Sequence, residues 1–214
     1  MAQVINVAIA DDHEIVLSGL KEIISGFEGF NVAFVASNGK DLFEKLQAAK
    51  QLPDIVVMDI SMPVWDGHAT LEAIKKDWPD LNVLVLTMHK HELTIIKMLK
   101  AGASGYLLKN SPSKELQRAL LSIYRTDVYL SEMISSSFYN RIRQSDVIPS
   151  LSEREIVFLK HCALDITYKD LAEKIGISER TVAGFRVALF EKLQVNTRAG
   201  LVVCAIQMGL IHIE

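Results

Sequence analysis

The chain has 214 residues, half of them apolar and 23% charged, and its formal net charge is −3. This length and composition supply enough apolar residues to build real cores in one or two domains. The slightly negative net charge excludes a protein that is basic overall, so any surface that binds nucleic acid must be local.

The sequence shows no sign of export or membrane insertion. Its first residues, "MAQVINVAIADD", lack a basic region and run directly into acidic residues, unlike a signal peptide. No apolar stretch reaches the ~20 residues that a transmembrane helix requires. Cys162 and Cys204 lie in apolar helical contexts without metal-site spacing, which favours buried thiols over a disulfide. We expect a soluble cytoplasmic protein without a membrane partner.

The first part of the chain alternates between short apolar runs and amphipathic segments of helical period. The apolar runs predict strands at residues 4–10, 31–36, 54–59, 82–87 and 104–108. The amphipathic segments predict helices at residues 13–25, 39–49, 67–76, 92–101 and 112–125. Such alternation is typical of right-handed crossovers and of a parallel sheet covered on both faces. We predict an α/β doubly wound domain with five parallel strands in residues 1–125.

The pattern changes after this domain. Residues 126–149 alternate weakly and contain serines and charges, which predicts a linker with some helix. Residues 150–214 carry helical patterns only and predict a small all-α domain of four helices. The first of these begins with a capping box formed by Ser152 and Glu155. Thr167 is the expected N-cap of the second helix, and the other two are expected to begin at Ser178 and Thr197.

Polar side chains stand where the predicted strands of the first domain end. Asp11 and Asp12 follow the first strand, and Asp59 ends the third. Thr87 ends the fourth strand and Lys109 follows the fifth. Ligands of open parallel sheets gather at the carboxyl ends of the strands, where strand order switches. A single Asp here is as often an N-cap or turn residue, so the prediction depends on the combination.

The chemistry of this rim points to phosphoryl transfer. Three carboxylates together can hold a hard cation such as Mg²⁺, and a carboxylate beside that ion can attack phosphorus. Lys109 and Thr87 can then bind the phosphoryl oxygens. The chain has no glycine-rich phosphate loop, so we expect no bound nucleotide. The histidines near these segments lack the spacing of a metal site: His13, His68, His89 and His91.

The motifs "DD", "MDISMPVWDG", "LTM" and "GYLLK" occur in this order over residues 4–125. In order and spacing they resemble the receiver domain of two-component response regulators. The resemblance implies a flavodoxin-like fold and a sensor histidine kinase as the partner that supplies the phosphoryl group.

The same resemblance implies a role for each residue of the rim. Asp59 stands at the phosphoacceptor position. The implied Mg²⁺ ligands are Asp11, Asp12, Asp59 and the backbone carbonyl of Ser61. The residues implied to bind the phosphoryl group or to act as a switch are Thr87, Lys109 and Tyr106. Met88 stands where the family more often has a small residue, and we expect it to restrict access of water and small phosphodonors.

In the second domain, two predicted helices flank a tight turn at residues 175–178. The residues expected to pack these helices together are Leu171, Ile175, Val182 and Leu189. This spacing predicts a helix-turn-helix whose second helix, residues 179–194, can enter a major groove. The alternative is a helical bundle that contacts only protein.

Residues 151–210 resemble the LuxR-type output domain of NarL/FixJ response regulators, with departures where DNA contact is expected. Ala183 and Phe185 replace a usual Lys and His, and Tyr168 and Asp165 replace a usual Asn and Gly. The resemblance implies a homodimer, formed after phosphorylation or on DNA through the last helix.

Electrostatics do not favour DNA binding by this domain as a whole. Residues 146–214 contain eight Lys or Arg against nine Asp or Glu, a net charge of −1, although phosphate binding is largely electrostatic. Phe185 would either pack a thymine methyl group or belong to the core. The candidate DNA contacts, each alternatively an ordinary helix residue, are Lys169, Arg180, Thr181, Phe185, Arg186, Lys192 and Arg198.

The sequence therefore favours a transcription regulator that is switched by phosphorylation of Asp59. We expect no enzymatic activity beyond its own phosphorylation and dephosphorylation. One alternative is a response regulator whose output domain has lost the ability to recognise DNA and acts as a protein-interaction module. A second is a Mg²⁺-dependent aspartyl-phosphate phosphatase, which is disfavoured because position 61 is Ser instead of the acid that such enzymes use.

Overall fold

The structure is a computed structural model that describes residues 4–88, 92–130, 151–208 and 210–211. Its strands are β1 Ile5–Ala10, β2 Phe30–Ala36, β3 Ile55–Asp59, β4 Asn82–Thr87, β5 Gly105–Leu108 and β6 Tyr129–Leu130. The helices of the first domain are α1 Glu14–Ser25, α2 Gly39–Ala48, α3 Gly67–Asp77, α4 Glu92–Lys100 and α5 Ser113–Thr126. Those of the second are α6 Glu153–His161, α7 Tyr168–Ile175, α8 Glu179–Leu193 and α9 Arg198–Gln207.

The strands form one parallel sheet in the order β2-β1-β3-β4-β5-β6. The predicted α/β doubly wound fold with five parallel strands is confirmed. The two-residue β6 is an addition from the segment that we predicted to be linker. Val128 and Tyr129 are buried there, because this stretch packs on the sheet edge. The rest of that predicted linker, residues 131–149, lies outside the described residues.

Strand β3 shows why the sheet is covered on both faces. Ile55 and Val57 join the apolar cluster that includes residues of α1 and α5. Val56 and Met58 join the cluster that includes residues of α2, α3 and α4. All four side chains are fully buried, as expected for a central strand of a parallel sheet. The sheet order reverses between β1 and β3, so a ligand crevice is expected at the carboxyl ends of these strands.

The helix-turn-helix of the second domain forms as predicted. Ser152 and Glu155 make the expected capping box at the start of α6. Helix α7 ends at Gly176, whose φ of 70° is the left-handed conformation that glycine tolerates best. Leu171 and Val182 are buried between α7 and α8, which fixes the angle between the two helices.

The two domains share a continuous apolar cluster. Helix α9 packs against α4 of the first domain, and Val202 and Val203 in the middle of α9 are buried. Cys162 and Cys204 are buried free thiols, as predicted. The helix that the family resemblance associates with dimer formation is thus covered by the first domain. Among the described residues, no helix has the length and hydropathy needed to cross a bilayer.

Candidate functional site

Three of the predicted rim residues meet at the carboxyl edge of the sheet. The Lys109 Nζ atom lies 2.6 Å from Asp11 Oδ2 and 2.8 Å from Asp59 Oδ2. Both carboxylates are almost fully buried, with 1% of Asp11 and 4% of Asp59 exposed. Asp11 and Asp59 are 48 positions apart in the chain, and Lys109 follows Asp59 by 50 positions. One ammonium group therefore joins two carboxylates that are distant in the sequence.

The positive charge of Lys109 complements the two carboxylates of this pocket. Burial alone would lower the pKa of its ammonium, but hydrogen bonds to Asp11 and Asp59 and the charges of these carboxylates raise it above the ordinary value. The amine therefore stays protonated at neutral pH. It offsets part of the repulsion between two buried carboxylates, which would otherwise be costly to bring together.

Asp12 and His13 lie beside this pair of carboxylates. The His13 Nδ1 atom lies 2.9 Å from Asp12 Oδ1 and 3.2 Å from Asp11 Oδ1. One ligand atom each from Asp11, Asp12 and His13 lies within 4.8 Å of the others. The sequence spacing did not indicate His13 as a ligand, although its position directly after two aspartates was the available signal.

The donor set fits a divalent cation. Carboxylate oxygens are the ligands that Mg²⁺ prefers, and Asp11 and Asp12 present them side by side. Asp59 is held by Lys109 instead of lying in this close group. Ser61 is exposed in the loop after β3, and the role of its carbonyl as a ligand stays a prediction.

The loop after β3 is shaped by its own hydrogen bonds. Asp59 Oδ1 accepts a 2.7 Å bond from the Ile60 amide, and Asp66 caps α3 by accepting from the Ala69 amide. A Cβ atom on Gly67 would lie 2.6 Å from the Ile60 Cα atom, so only glycine permits this close return of the chain. The loop is consequently held against the end of β3, beside Asp59.

Thr87 and Tyr106 form a linked pair next to the acidic pocket. Both residues are buried, and a side-chain hydrogen bond connects them. Burial and the nearby Asp59 charge raise the pKa of the Tyr106 phenol to about 12, despite the opposing effect of the Thr87 bond. The aromatic ring therefore lies inside the domain, next to the Thr87 hydroxyl. Met88, the next residue after Thr87, is largely exposed.

Of the seven candidate DNA contacts, four lie on the surface of the helical domain: Lys169, Arg180, Thr181 and Lys192. The Thr181 hydroxyl lies 2.8 Å from the hydroxyl of Ser178, the residue that caps the start of α8. The other three, Phe185, Arg186 and Arg198, are half-buried or buried, so the seven candidates do not share one exposed face.

Arg198 is the clearest correction. Its side chain is 1% exposed and donates hydrogen bonds to four backbone carbonyls, those of Thr126, Cys162, Leu164 and Ile166. Lys192 binds Glu155 instead, with Nζ 3.1 Å from both carboxylate oxygens. In this arrangement Arg198 cannot contact DNA, because its donors are used to join loops.

Phe185 and Arg186 are half-buried and make contacts within the protein. The Phe185 ring packs 5.8 Å from the Phe158 ring, so the core alternative for Phe185 describes its position. The Arg186 guanidinium packs on Tyr168 and lies 3.7 Å from Asp80 of the first domain. Both side chains serve internal contacts of α8.

Two family models match the chain. The response regulator receiver domain matches residues 7–121, and the luxR family of bacterial regulatory proteins matches residues 149–205. Together they cover both domains that the structure separates.

Relatives match over almost the whole length. The oxygen regulatory protein NreC of Staphylococcus epidermidis is 31% identical over 217 residues, covering 96% of this chain and 99% of the relative. NreC of Staphylococcus carnosus is 30% identical over 215 residues, covering 96% and 98%.

Solved structures give the same result. The response regulator ChrA of a heme-sensing two-component system has 31% identity and a TM-score of 0.52, with 99% of this chain and 100% of ChrA covered. The response regulator RcsB in a complex with DNA has 25% identity and a TM-score of 0.60, with 96% and 99% covered.

Proposed function

This chain belongs to the response regulators that join a receiver domain to a LuxR-type DNA-binding domain, and we propose that phosphorylation of Asp59 switches its activity as a cytoplasmic transcription regulator. The observation that carries this proposal is the position of Lys109 between Asp11 and Asp59, at 2.6 Å and 2.8 Å. A buried carboxylate paired with one ammonium is a suitable acceptor, because the same ammonium can neutralise the charge that phosphorylation adds.

In the proposed reaction, a sensor histidine kinase is the donor. An Asp59 oxygen forms a bond to phosphorus while the bond from phosphorus to the donor nitrogen breaks. Asp11, Asp12 and Asp59, with the Ser61 carbonyl, would hold Mg²⁺, which supplies charge neutralisation for the phosphoryl oxygens. Lys109 contributes an ammonium to the same oxygens, and the Thr87 hydroxyl would turn to donate to one of them.

The link from Asp59 to the second domain would run through β4 and α4. Thr87 ends β4, and its hydroxyl is bonded to Tyr106, so a new bond from Thr87 to a phosphoryl oxygen would break this pairing. Helix α4 follows β4 and supports α9. We expect the displacement to weaken the contact between α4 and α9. This release would free α9 to form a homodimer on DNA.

The first experiment measures incorporation of phosphate from acetyl phosphate in the presence of Mg²⁺. Wild-type protein should be labelled, whereas Asp59→Asn should not, because its amide cannot form the acyl phosphate. Asp77→Asn is the matched control, since Asp77 is an exposed carboxylate at the end of α3, and it should be labelled like the wild type. Labelling of Asp59→Asn would refute the assignment.

The second experiment measures DNA binding by the full chain, with and without acetyl phosphate, at several salt concentrations. Lys169, Arg180 and Thr181 are the proposed phosphate contacts, so affinity should fall as salt rises. Phosphorylation should increase affinity. Absence of binding at low salt would favour the protein-interaction alternative, and turnover of a phosphate ester beyond one equivalent would favour the phosphatase.

A further inference from the structure

The outward face of α8 consists of small and apolar side chains. Ala183, Gly184, Val187 and Ala188 are all exposed, and 64% of Val187 is accessible to solvent. Residues that are three or four positions apart lie on the same side of a helix, so these four form one continuous patch. We call this patch the apolar face of α8.

Hydrogen-bonding side chains are confined to the ends of this face. Arg180 and Thr181 precede it and Glu191 follows it. Among the described residues of α8, no exposed position between Thr181 and Glu191 has a side chain that can donate or accept a hydrogen bond. The two cations on other sides of the helix are engaged elsewhere, Arg186 with Asp80 and Lys192 with Glu155.

This composition restricts how α8 can recognise base pairs. In the major groove, guanine is usually read by Arg or Lys and adenine by Asn or Gln, through paired hydrogen bonds. The apolar face of α8 offers none of these groups. The feature of a base edge that an aliphatic side chain can recognise is the 5-methyl group of thymine.

We propose that the apolar face of α8 recognises thymine methyl groups in the major groove, with Val187 as the principal contact. This inference rests on the proposed function, because it assumes that α8 enters the groove. Val187 is the largest side chain of the face. At Gly184 a Cβ atom would have no neighbour within 4 Å, and its absence lets the helix backbone approach the base edges.

Arg180 completes the arrangement at the amino-terminal end of the helix. It is exposed, and the amino-terminal residues of a recognition helix are the ones that reach base edges and phosphates. Glu191 at the opposite end would repel phosphates. The helix is therefore expected to insert its amino-terminal and central turns, which places Ala183 and Val187 over the bases and Glu191 farther from the backbone.

The test begins with selection of bound duplexes from a synthetic library of random DNA, using the full chain treated with acetyl phosphate and Mg²⁺. Each thymine of a selected site is then replaced by uracil, which pairs identically but lacks the methyl group. Affinity should fall about fourfold for each contacted methyl group. The expected result is a loss at one or more thymines of each half-site.

Val187→Ala locates the contact. In this variant the uracil substitution at one position should no longer weaken binding, because the partner of that methyl group has been removed. Val157→Ala is the matched control, since Val157 is a comparably exposed valine on α6, outside the apolar face of α8. It should bind like the wild type and keep the full effect of uracil.

The possible outcomes distinguish a failure of DNA binding from a failure of methyl recognition. If no duplex is retained from the library, DNA binding itself fails and this inference fails with it. If specific duplexes are retained but uracil substitution leaves affinity unchanged at every thymine, the proposed function stands and methyl recognition is overturned. A uracil effect that persists in Val187→Ala would overturn the assignment to Val187.

Discussion

The Arg198 Nη1 atom donates a 3.1 Å hydrogen bond to the backbone carbonyl of Thr126, the last residue of α5. The same guanidinium donates to the carbonyls of Cys162, Leu164 and Ile166 in the helical domain. It also lies over the Tyr168 ring. A single buried cation thus joins the receiver domain to the loop between α6 and α7.

We expect Arg198→Met to lower the free energy of unfolding by at least about 3 kcal/mol, because two buried and two partly buried carbonyls lose their donor at once. Urea unfolding followed by circular dichroism measures the change. Arg154→Met is the control, since Arg154 is exposed on α6 and should change stability by less than about 0.5 kcal/mol. Equal effects of the two substitutions would contradict the role of Arg198.

Lys109→Met should destabilise the receiver domain by about 3 kcal/mol, because it leaves the Asp11 and Asp59 carboxylates buried without their shared partner. Added MgCl₂ should raise the unfolding midpoint of this variant more than that of the wild type, since the cation replaces the missing charge. The control is Lys114→Met on the exposed side of α5. An equal Mg²⁺ effect in all three proteins would argue against a cation site beside Asp59.

Tyr106→Phe should alter the pH dependence of stability at alkaline pH. The pKa of Tyr106 is raised from 10.0 to about 12, so the unfolded chain loses its phenolic proton first and stability falls as pH rises between these values. By pH 11 the wild type should have lost about 1 kcal/mol relative to Tyr106→Phe. Urea unfolding of both proteins at about pH 9 and at about pH 11 tests this prediction. An equal change in the unfolding free energy of the two proteins would show that the folded structure does not raise the pKa of the phenol.

Glu155→Gln should weaken the start of α6 in a pH-dependent way. Hydrogen bonds from Ser152 lower the pKa of Glu155 below 4.5, and Lys192 adds to this effect. Burial of the carboxylate acts in the opposite direction. Its stabilising effect, about 1 kcal/mol, is therefore complete above the unfolded pKa and is lost as pH falls through the folded one. The difference from wild type in unfolding free energy should thus shrink on acidification.

Glu153→Gln is the control for this experiment. Glu153 lies in the same helical turn but is exposed, so the substitution should leave the acid dependence unchanged. If Glu155→Gln and the wild type lose stability in parallel below about pH 4.5, the carboxylate does not act as described.

Local features of the fold were predictable because they depend on neighbours in the sequence. Residue type and position alone identified Ser152 and Thr167 as N-caps, and each accepts the expected backbone hydrogen bond. The short β6 was missed. Its two residues are too few to show a strand pattern, and only contact with β5 defines them.

In the candidate sites too, some positions could be predicted from the sequence and others could not. Strand alternation determined the doubly wound fold, and in a parallel sheet this topology brings strand ends to one edge, so Asp11, Asp59 and Lys109 could be expected to meet. Only the tertiary structure decided which Lys and Arg side chains of the helical domain face solvent. The carbonyls that bind Arg198 are 32 to 72 positions away in the chain, and no pattern around residue 198 reveals them.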